Sequence, residues 1–214
     1  MKQKPATRYG ILSMASQIFD PFGLVQPHGL LVKRLMQQLC EMNLGWDDSI
    51  PEDLEATWQR WVQALPKLED ITVPRCFILL ENAGSIELHC LSDACETGCG
   101  AVCYLQIASG SSWCCRFVIG KSRAAPLKAF SIPWLELCVA TLATKLAQLV
   151  SSQLRLDLER TVFWTDSTSV LQYIANPSRR FRVFVANRLS ANTNILTFPS
   201  GVTSTLRTIL LTLL

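Results

Sequence analysis

Three carboxylates occupy positions where acidic residues are typical of metal-assisted chemistry. Asp93 follows a predicted strand and precedes a turn, Glu136 lies in the first turn of a predicted helix, and Asp166 closes a short apolar strand. If the three side chains converge, their mutual repulsion favours a bound cation, and such hard oxygen ligands select Mg²⁺ or Mn²⁺. Two such ions about 4 Å apart activate water and stabilise the leaving oxygen in phosphodiester hydrolysis. Taken singly, each carboxylate is more typical of a solvated surface residue.

The elements that would position these carboxylates begin with three strands. Alternation of apolar and polar residues over 85–92 predicts the first strand, and Gly98 with Gly100 predicts a tight turn into a second strand at 101–106. A third strand is predicted at 113–119. Because the connections between them are short, we expect an antiparallel meander.

A long helix, a buried strand and a second helix complete the predicted α/β unit. Pro133 opens the long helix, whose small residues suit close packing on a sheet. Residues 160–164 predict a short apolar strand, and Ser167 is a candidate cap for the helix that follows. We expect this fourth strand to pair beside the first, which would bring Asp93 and Asp166 to the same end of a mixed sheet.

A small helical segment is predicted before this unit. Its apolar residues recur at helical spacing on two helices, namely Leu30, Leu31, Leu35 and Leu39, then Leu54, Trp58, Trp61, Val62 and Leu65. This spacing favours tryptophans packed in a core over a platform for stacked bases, and we expect Trp46 to belong to the same segment. The pattern becomes extended between Asp70 and Glu81, which predicts a helical segment at 1–80 and an α/β domain at 81–189.

Composition excludes several classes of protein. A hydrophobic content of 49% in 214 residues is enough for a substantial core, and a net charge of +3 permits a nucleic-acid partner without requiring one. Nine cysteines without a signal peptide or paired zinc-binding spacing favour free thiols in a reducing compartment. No apolar run approaches the roughly 20 residues of a membrane helix.

A series of short motifs carries a family resemblance. In order they are Leu12-Ser13, Phe19-Asp20-Pro21-Phe22-Gly23-Leu24, Trp46-Asp47-Asp48, Ser92-Asp93-Ala94, Lys121-Ser122-Arg123, Leu135-Glu136-Leu137, Trp164-Thr165-Asp166-Ser167 and Phe184-Val185-Ala186-Asn187-Arg188. Over about residues 8–190 the chain resembles the segment that follows the reverse transcriptase in BEL/Pao-type retrotransposon polyproteins. Matches in this order and number make the resemblance specific.

The resemblance implies a ribonuclease H-like domain that degrades the RNA strand of an RNA–DNA hybrid. Carried over by motif, Asp93 would bridge two Mg²⁺ or Mn²⁺ ions, and Glu136 with Asp166 would complete the second metal site. The implied partners are the hybrid and the reverse transcriptase portion of the same polyprotein. We expect an intracellular location, in the cytoplasm or in virus-like particles, and no membrane partner.

The resemblance fails toward the C-terminus. The family continues into a strand and a fourth acidic residue, whereas this sequence has no Asp or Glu after Asp166. From Ser190 the composition shifts to Thr, Leu, Ser and Asn, without a family match. We therefore expect 190–214 to be a tail outside the family, the domain at 81–189 to lack its last strand and helix, and any enzymatic activity to be weak or absent.

Two basic stretches suggest how a nucleic acid would be bound. The first contains Lys121, Arg123 and Lys128, and the second contains Arg179, Arg180, Arg182 and Arg188. A basic run is usually only a solvated face, but beside a carboxylate cluster it also suits a phosphate backbone. A catalytically inactive nucleic-acid-binding module is therefore an alternative to the enzyme.

An aspartic-type retrotransposon peptidase is a further alternative. Asp93 and Asp166 lie in short motifs that superficially resemble the loops of such enzymes. An aspartic protease, however, holds two carboxylates close enough to share a proton in two similar turns. Neither motif continues with the glycine typical of those turns, and the predicted helix that carries Glu136 is foreign to an all-β frame. The sequence therefore favours the nuclease.

Overall fold

A computed structural model describes residues 4–73, 84–110, 112–128 and 130–175 of the chain. Its second half contains a four-stranded sheet built from β1 (Ile86–Cys95), β2 (Gly98–Ser109), β3 (Ser112–Ala124) and β4 (Arg160–Trp164). The strand order is β3-β2-β1-β4, with β1–β2 and β2–β3 antiparallel and β1–β4 parallel. The predicted mixed sheet, with its fourth strand beside the first, is confirmed.

The first two strands are longer than predicted, and the turn between them lies elsewhere. Cys95 pairs with Gly98, so the turn consists of the two residues between them, and both predicted turn glycines lie within β2. At Gly98 the reason for glycine is a close approach. A Cβ atom there would lie 3.1 Å from the Arg123 carbonyl oxygen and 3.1 Å from a methyl carbon of Leu30. Glycine at this position therefore serves packing between the sheet and the helical segment.

A long helix, α4 (Ile132–Leu154), covers one face of the sheet. Alternate residues of the two central strands point at it, and Leu88, Cys90, Cys103 and Leu105 are completely buried there. The helix presents Leu, Val, Ala and Thr side chains to this core, and the small ones allow its backbone to approach the strands closely. Strand alternation leaves the other residues of β1 and β2 on the opposite face.

The helical segment comprises α1 (Arg8–Ala15), α2 (Gln26–Glu41), α3 (Glu52–Ala64) and a 3₁₀ turn at Leu65–Asp70. Its core is separate from that of the sheet and is formed by Ile11, Met14, Val32, Leu35, Leu39, Ile50, Leu54, Trp58 and Trp61. Burial of Trp58 and Trp61 agrees with their interpretation as core residues. Trp46 and Leu31 differ from the expectation, since 51% and 52% of their surfaces are exposed.

The loop before α2 and the start of α2 join the helical segment to β3. The Phe22 carbonyl accepts the backbone N–H of Gly120 at 2.8 Å, and the Gln26 side chain accepts the N–H of Ser122 at 3.2 Å. Gly23 has a φ of +79°, and a Cβ atom on it would lie 1.9 Å from the Gly120 carbonyl oxygen. Only glycine satisfies both conditions, so this contact depends on Gly23.

Replacing Gly23 with alanine is expected to loosen the contact between the helical segment and β3. The left-handed backbone conformation alone costs a side-chain-bearing residue about 1–3 kcal/mol, and the steric conflict with Gly120 adds to it. Urea unfolding should show this loss, and amide hydrogen exchange should quicken at Gly120 and Ser122.

Gly29 supplies a matched control within α2. A Cβ atom there meets nothing within 4 Å, so Gly29→Ala should stabilise the helix by about 0.5–1 kcal/mol. Equal stability of the Gly23→Ala and Gly29→Ala variants would contradict the assigned role of Gly23.

Candidate active site

The parallel pairing of β1 with β4 brings two of the predicted carboxylates to one end of the sheet. Leu91 opposite Trp164 is the last pair of this register, and Asp93 and Asp166 each lie two residues beyond it. Neighbouring strands are about 4.8 Å apart, so Asp166 follows β4 beside the last part of β1, where Asp93 is still paired with Gly100 of β2. Both side chains are exposed, and the backbone N–H of Ala94 donates to Asp93 Oδ1 at 2.7 Å.

The third carboxylate, Glu136, approaches the same end of the sheet from α4. It is half-buried, and the hydroxyl of Ser167 donates a hydrogen bond to its Oε2 atom. The same hydroxyl oxygen accepts the backbone N–H of Val170 at 3.2 Å, and thereby caps α5 (Thr168–Ala175) as predicted. Ser167, directly after Asp166, therefore ties the end of β4 to Glu136. Glu136 is the fifth residue of α4, so it lies just after the first turn and not in it as predicted.

The donor set fits a hard cation by its chemistry, because carboxylate oxygens are the ligands that Mg²⁺ and Mn²⁺ prefer. The placed side chains do not yet form a shared site. Among the described residues there is no group of three or more His, Cys, Asp or Glu side chains arranged to hold a metal. Strand alternation provides the physical reason, since it directs Asp93 away from α4, whereas Glu136 projects from α4. A shared site requires the side chains to turn toward one another.

The first basic stretch lies on and just after the edge strand β3. Lys121 and Arg123 are exposed two residues apart on β3, and Lys128 is exposed in the loop after it. The predicted residues Arg179, Arg180, Arg182 and Arg188 lie outside the described part of the chain, as does the tail at 190–214.

Sequence analysis missed a further cation, Lys33 of α2. Its ammonium group donates to the Ser122 carbonyl at 3.4 Å. Desolvation and the neighbouring charge of Lys121 lower the pKa of Lys33. The basic surface on β3 therefore extends onto the helical segment. Helical periodicity could not predict this contact, because it joins residues 89 positions apart in the chain.

One comparison with known proteins decides the family. The family model of the Pao retrotransposon-like RNaseH-like domain matches residues 7–167. The chain belongs to this family. The match runs from the start of the helical segment to the residue after Asp166, so it includes all three carboxylates and confirms the resemblance to BEL/Pao-type retrotransposons. A comparison with curated proteins found no match.

The mixed four-stranded sheet and its flanking helices agree with the ribonuclease H-like fold of the Pao family. An aspartic protease would instead place its two aspartates in an all-β frame, whereas here α4 separates β3 from β4 in the chain. Within the described residues, no helix is both long enough and apolar enough to cross a membrane.

Ser167→Ala should destabilise the end of the sheet. The substitution removes both the cap of α5 and the donor to Glu136, and loss of a helix cap alone costs about 1 kcal/mol. In urea unfolding, the free energy of unfolding should decrease by about 1–2 kcal/mol. Hydrogen exchange of the first backbone amides of α5 should become faster.

Ser131 is the matched control, because it precedes α4 at the cap position but makes no side-chain capping hydrogen bond. Ser131→Ala should change the free energy of unfolding by less than about 0.5 kcal/mol. The assignment fails if the two serine variants are equally stable.

Proposed function

We propose that this Pao-family domain hydrolyses the RNA strand of RNA–DNA hybrids with the help of Mg²⁺ or Mn²⁺. The observation that carries the proposal is the matched position of Asp93 and Asp166, two residues beyond the last pair of adjacent parallel strands in a ribonuclease H-like sheet. Asp93 and Asp166 would hold the cation, with Glu136 joining them. A bound ion of this kind supplies the charge that activates water and stabilises the leaving oxygen.

The protein's own contribution is placement and access. Asp93 and Asp166 are exposed, so a phosphodiester backbone has access to both carboxylates. Ser167 holds Glu136 close to the end of β4, which restricts the rotamers open to the Glu136 side chain. Lys121 and Arg123 are exposed on β3 and would contact phosphates of a hybrid without sequence preference.

A catalytically inactive nucleic-acid-binding module is the second candidate. Two observations favour it. The described carboxylates form no three-ligand group, and residues 167–214 contain no Asp or Glu that would act as a further ligand. Because Mg²⁺ demands near-octahedral geometry, a missing ligand weakens metal binding before it weakens contacts to phosphates. We therefore expect hydrolysis by this chain to be weak compared with its binding of hybrid.

The reverse transcriptase portion of the same polyprotein is the proposed protein partner, because the resemblance places this segment directly after it. Action on hybrids formed during reverse transcription also supports the proposed location in the cytoplasm or in virus-like particles.

The decisive assay follows cleavage of a labelled RNA–DNA hybrid by the full chain with and without Mg²⁺ or Mn²⁺. We expect slow, cation-dependent cleavage that falls to background in Asp93→Asn, because this variant loses one of the two carboxylates at this end of the sheet. Asp157→Asn, which removes an exposed carboxylate of the loop before β4, should cleave like the unmodified chain.

Cleavage that survives Asp93→Asn, or that needs no divalent ion, would contradict the proposed mechanism. Absence of cleavage with retained hybrid binding would favour the binding module. Cleavage of a peptide substrate that pepstatin inhibits would instead support the peptidase.

Hybrid binding should depend on salt through the basic residues of β3. The double substitution Lys121→Gln with Arg123→Gln should weaken binding to all hybrid sequences. It should also reduce the slope of log affinity against log salt by about one per lost phosphate contact. Titration by fluorescence anisotropy at several salt concentrations measures this slope. Lys67→Gln, an exposed lysine of the 3₁₀ turn, is the control and should leave the slope unchanged.

A further inference from the structure

A chain of polar side chains crosses from β4 to β1 and back on the sheet face opposite α4. Arg160 donates to Glu87 Oε1 at 3.0 Å, and the other carboxylate oxygen lies 3.1 Å from His89 Nε2. The indole N–H of Trp164 then donates to His89 Nδ1 at 3.0 Å, and the two rings stack with centroids 5.9 Å apart. Glu87 is only 6% exposed and His89 is half-buried, whereas the Arg160 side chain is 58% exposed, so the network is buried at its centre and open to solvent at Arg160.

The hydrogen bonds fix the tautomer of His89. An indole N–H is only a donor, so the Nδ1 atom that receives it carries no proton. In the neutral ring the proton therefore resides on Nε2, which donates it to the Glu87 carboxylate. Both nitrogens of the imidazole therefore have a hydrogen-bond partner, Nε2 with Glu87 and Nδ1 with Trp164. Through these two bonds His89 links the start of β1 to the end of β4.

The end of β4 is held at two points that flank Asp166. Trp164, two residues before it, is the last residue of β4 and is bound by His89. Ser167, the residue after it, is bound to Glu136. Because β4 has only five residues and lies at the edge of the sheet that the described residues form, backbone pairing alone gives its end little support.

We propose that His89 is a positioning residue for Asp166, acting through the hydrogen bond that it accepts from the Trp164 indole. His89 is also on the same face of β1 as Asp93, four residues before it, so it lies on the strand that carries the other candidate ligand. The placement of Asp166 is a structural claim. Its consequence for hydrolysis rests on the function proposed above.

Protonation of His89 would break this link, because an imidazolium has no acceptor for the indole. Burial lowers the pKa of His89, the adjacent Glu87 opposes this change, and the charge of Arg160 contributes to it. Among the described residues, the titratable groups that face the ring are Glu87 on β1, Arg160 on β4 and Tyr104, the partner of His89 on β2. Burial raises the pKa of Tyr104, so it stays neutral.

The sign of the pH effect follows from the depressed pKa. Below the ordinary histidine value of 6.5, the unfolded chain binds the proton more readily than the folded chain. Stability from neutral His89 is therefore complete above about pH 6.5 and is lost as the pH falls toward the folded pKa. The hydrogen bond from the Trp164 indole to His89 should be lost as the pH falls through the pKa of His89 in the folded chain.

Two substitutions separate the two nitrogens of His89. Asparagine places its carbonyl oxygen near the position of Nδ1, so His89→Asn keeps an acceptor for the Trp164 indole and loses the donor to Glu87. Glutamine reaches the position of Nε2, so His89→Gln keeps the donor and loses the acceptor. A purely structural role for buried volume at position 89 would affect both variants alike.

The test measures the indole N–H resonance of Trp164 and the amide resonance of Asp166 in the full chain by NMR, without metal or nucleic acid, at about pH 7.5. We expect His89→Asn to retain both resonances near their original positions and His89→Gln to shift both. In the unmodified chain, the same shifts should appear on acidification, with a midpoint below 6.5. For the two variants at about pH 7.5, the indole of Trp61, which donates to the backbone carbonyl of His28, is the internal control for unfolding. It does not serve during acidification, because the His28 ring stacked on it also takes up a proton.

The proposal would be overturned if the two variants had the same chemical shifts at about pH 7.5. It would also be overturned if the Asp166 amide resonance did not shift together with the Trp164 indole resonance. Hydrolysis measured in parallel should be lowered about 10- to 100-fold in His89→Gln and much less in His89→Asn, as for other residues that orient ligands. If the resonances behave as expected and no variant cleaves hybrid, the proposed function fails while the positioning role stands. Equal cleavage rates for the two variants would show that the hydrogen bond from Trp164 to His89 does not affect hydrolysis.

Discussion

The parallel pairing of β1 with β4 is the constraint on which the candidate site depends. It is a contact between strands more than 60 residues apart in the chain, and its register ends with Leu91 opposite Trp164. A shift of one residue would turn the side chains of β4 to the other face of the sheet. Asp166 would then no longer follow β4 on the same side of the sheet as Asp93, and Trp164 would no longer reach His89.

Strand alternation divides the sheet into two chemically different faces. One face is apolar and packs on α4, with Leu88 and Cys90 completely buried. The other face carries the network of Glu87, His89 and Trp164. Buried polar groups are tolerated there because both oxygens of Glu87 and both nitrogens of His89 have partners. The same division explains why Glu136, on α4, contacts Ser167 while Asp93 faces away from α4.

The helical segment has its own core, yet the family match runs across it and the sheet together. The contact between them covers part of the edge strand β3, where Gln26 of α2 accepts the N–H of Ser122. An uncovered strand edge invites pairing with other chains, so this contact protects the sheet as well as joining the two parts. Gly23 allows the approach because no side chain intervenes between the two backbones.

The sequence by itself determined the order of elements in the α/β unit and two of the three helices before it, because periodicity of two and of 3.6 residues depends only on local spacing. It did not predict α1. It placed β4 at residues 160–164, matching the structure, and it predicted the neighbour of β4 and the cap formed by Ser167. Motif order was also sufficient for the family, which the match over 7–167 confirmed.

Only the tertiary structure decided what depends on atoms distant in the chain. Gly98 resembled a turn residue until the packing of Leu30 gave the reason for it. Glu87 and His89 resembled the solvent side of a strand, because alternation does not reveal which face is later covered or what lies across it. Their roles arise from Arg160 and Trp164, more than 70 residues later. Contacts of that kind follow from strand register, and register is a property of the folded chain.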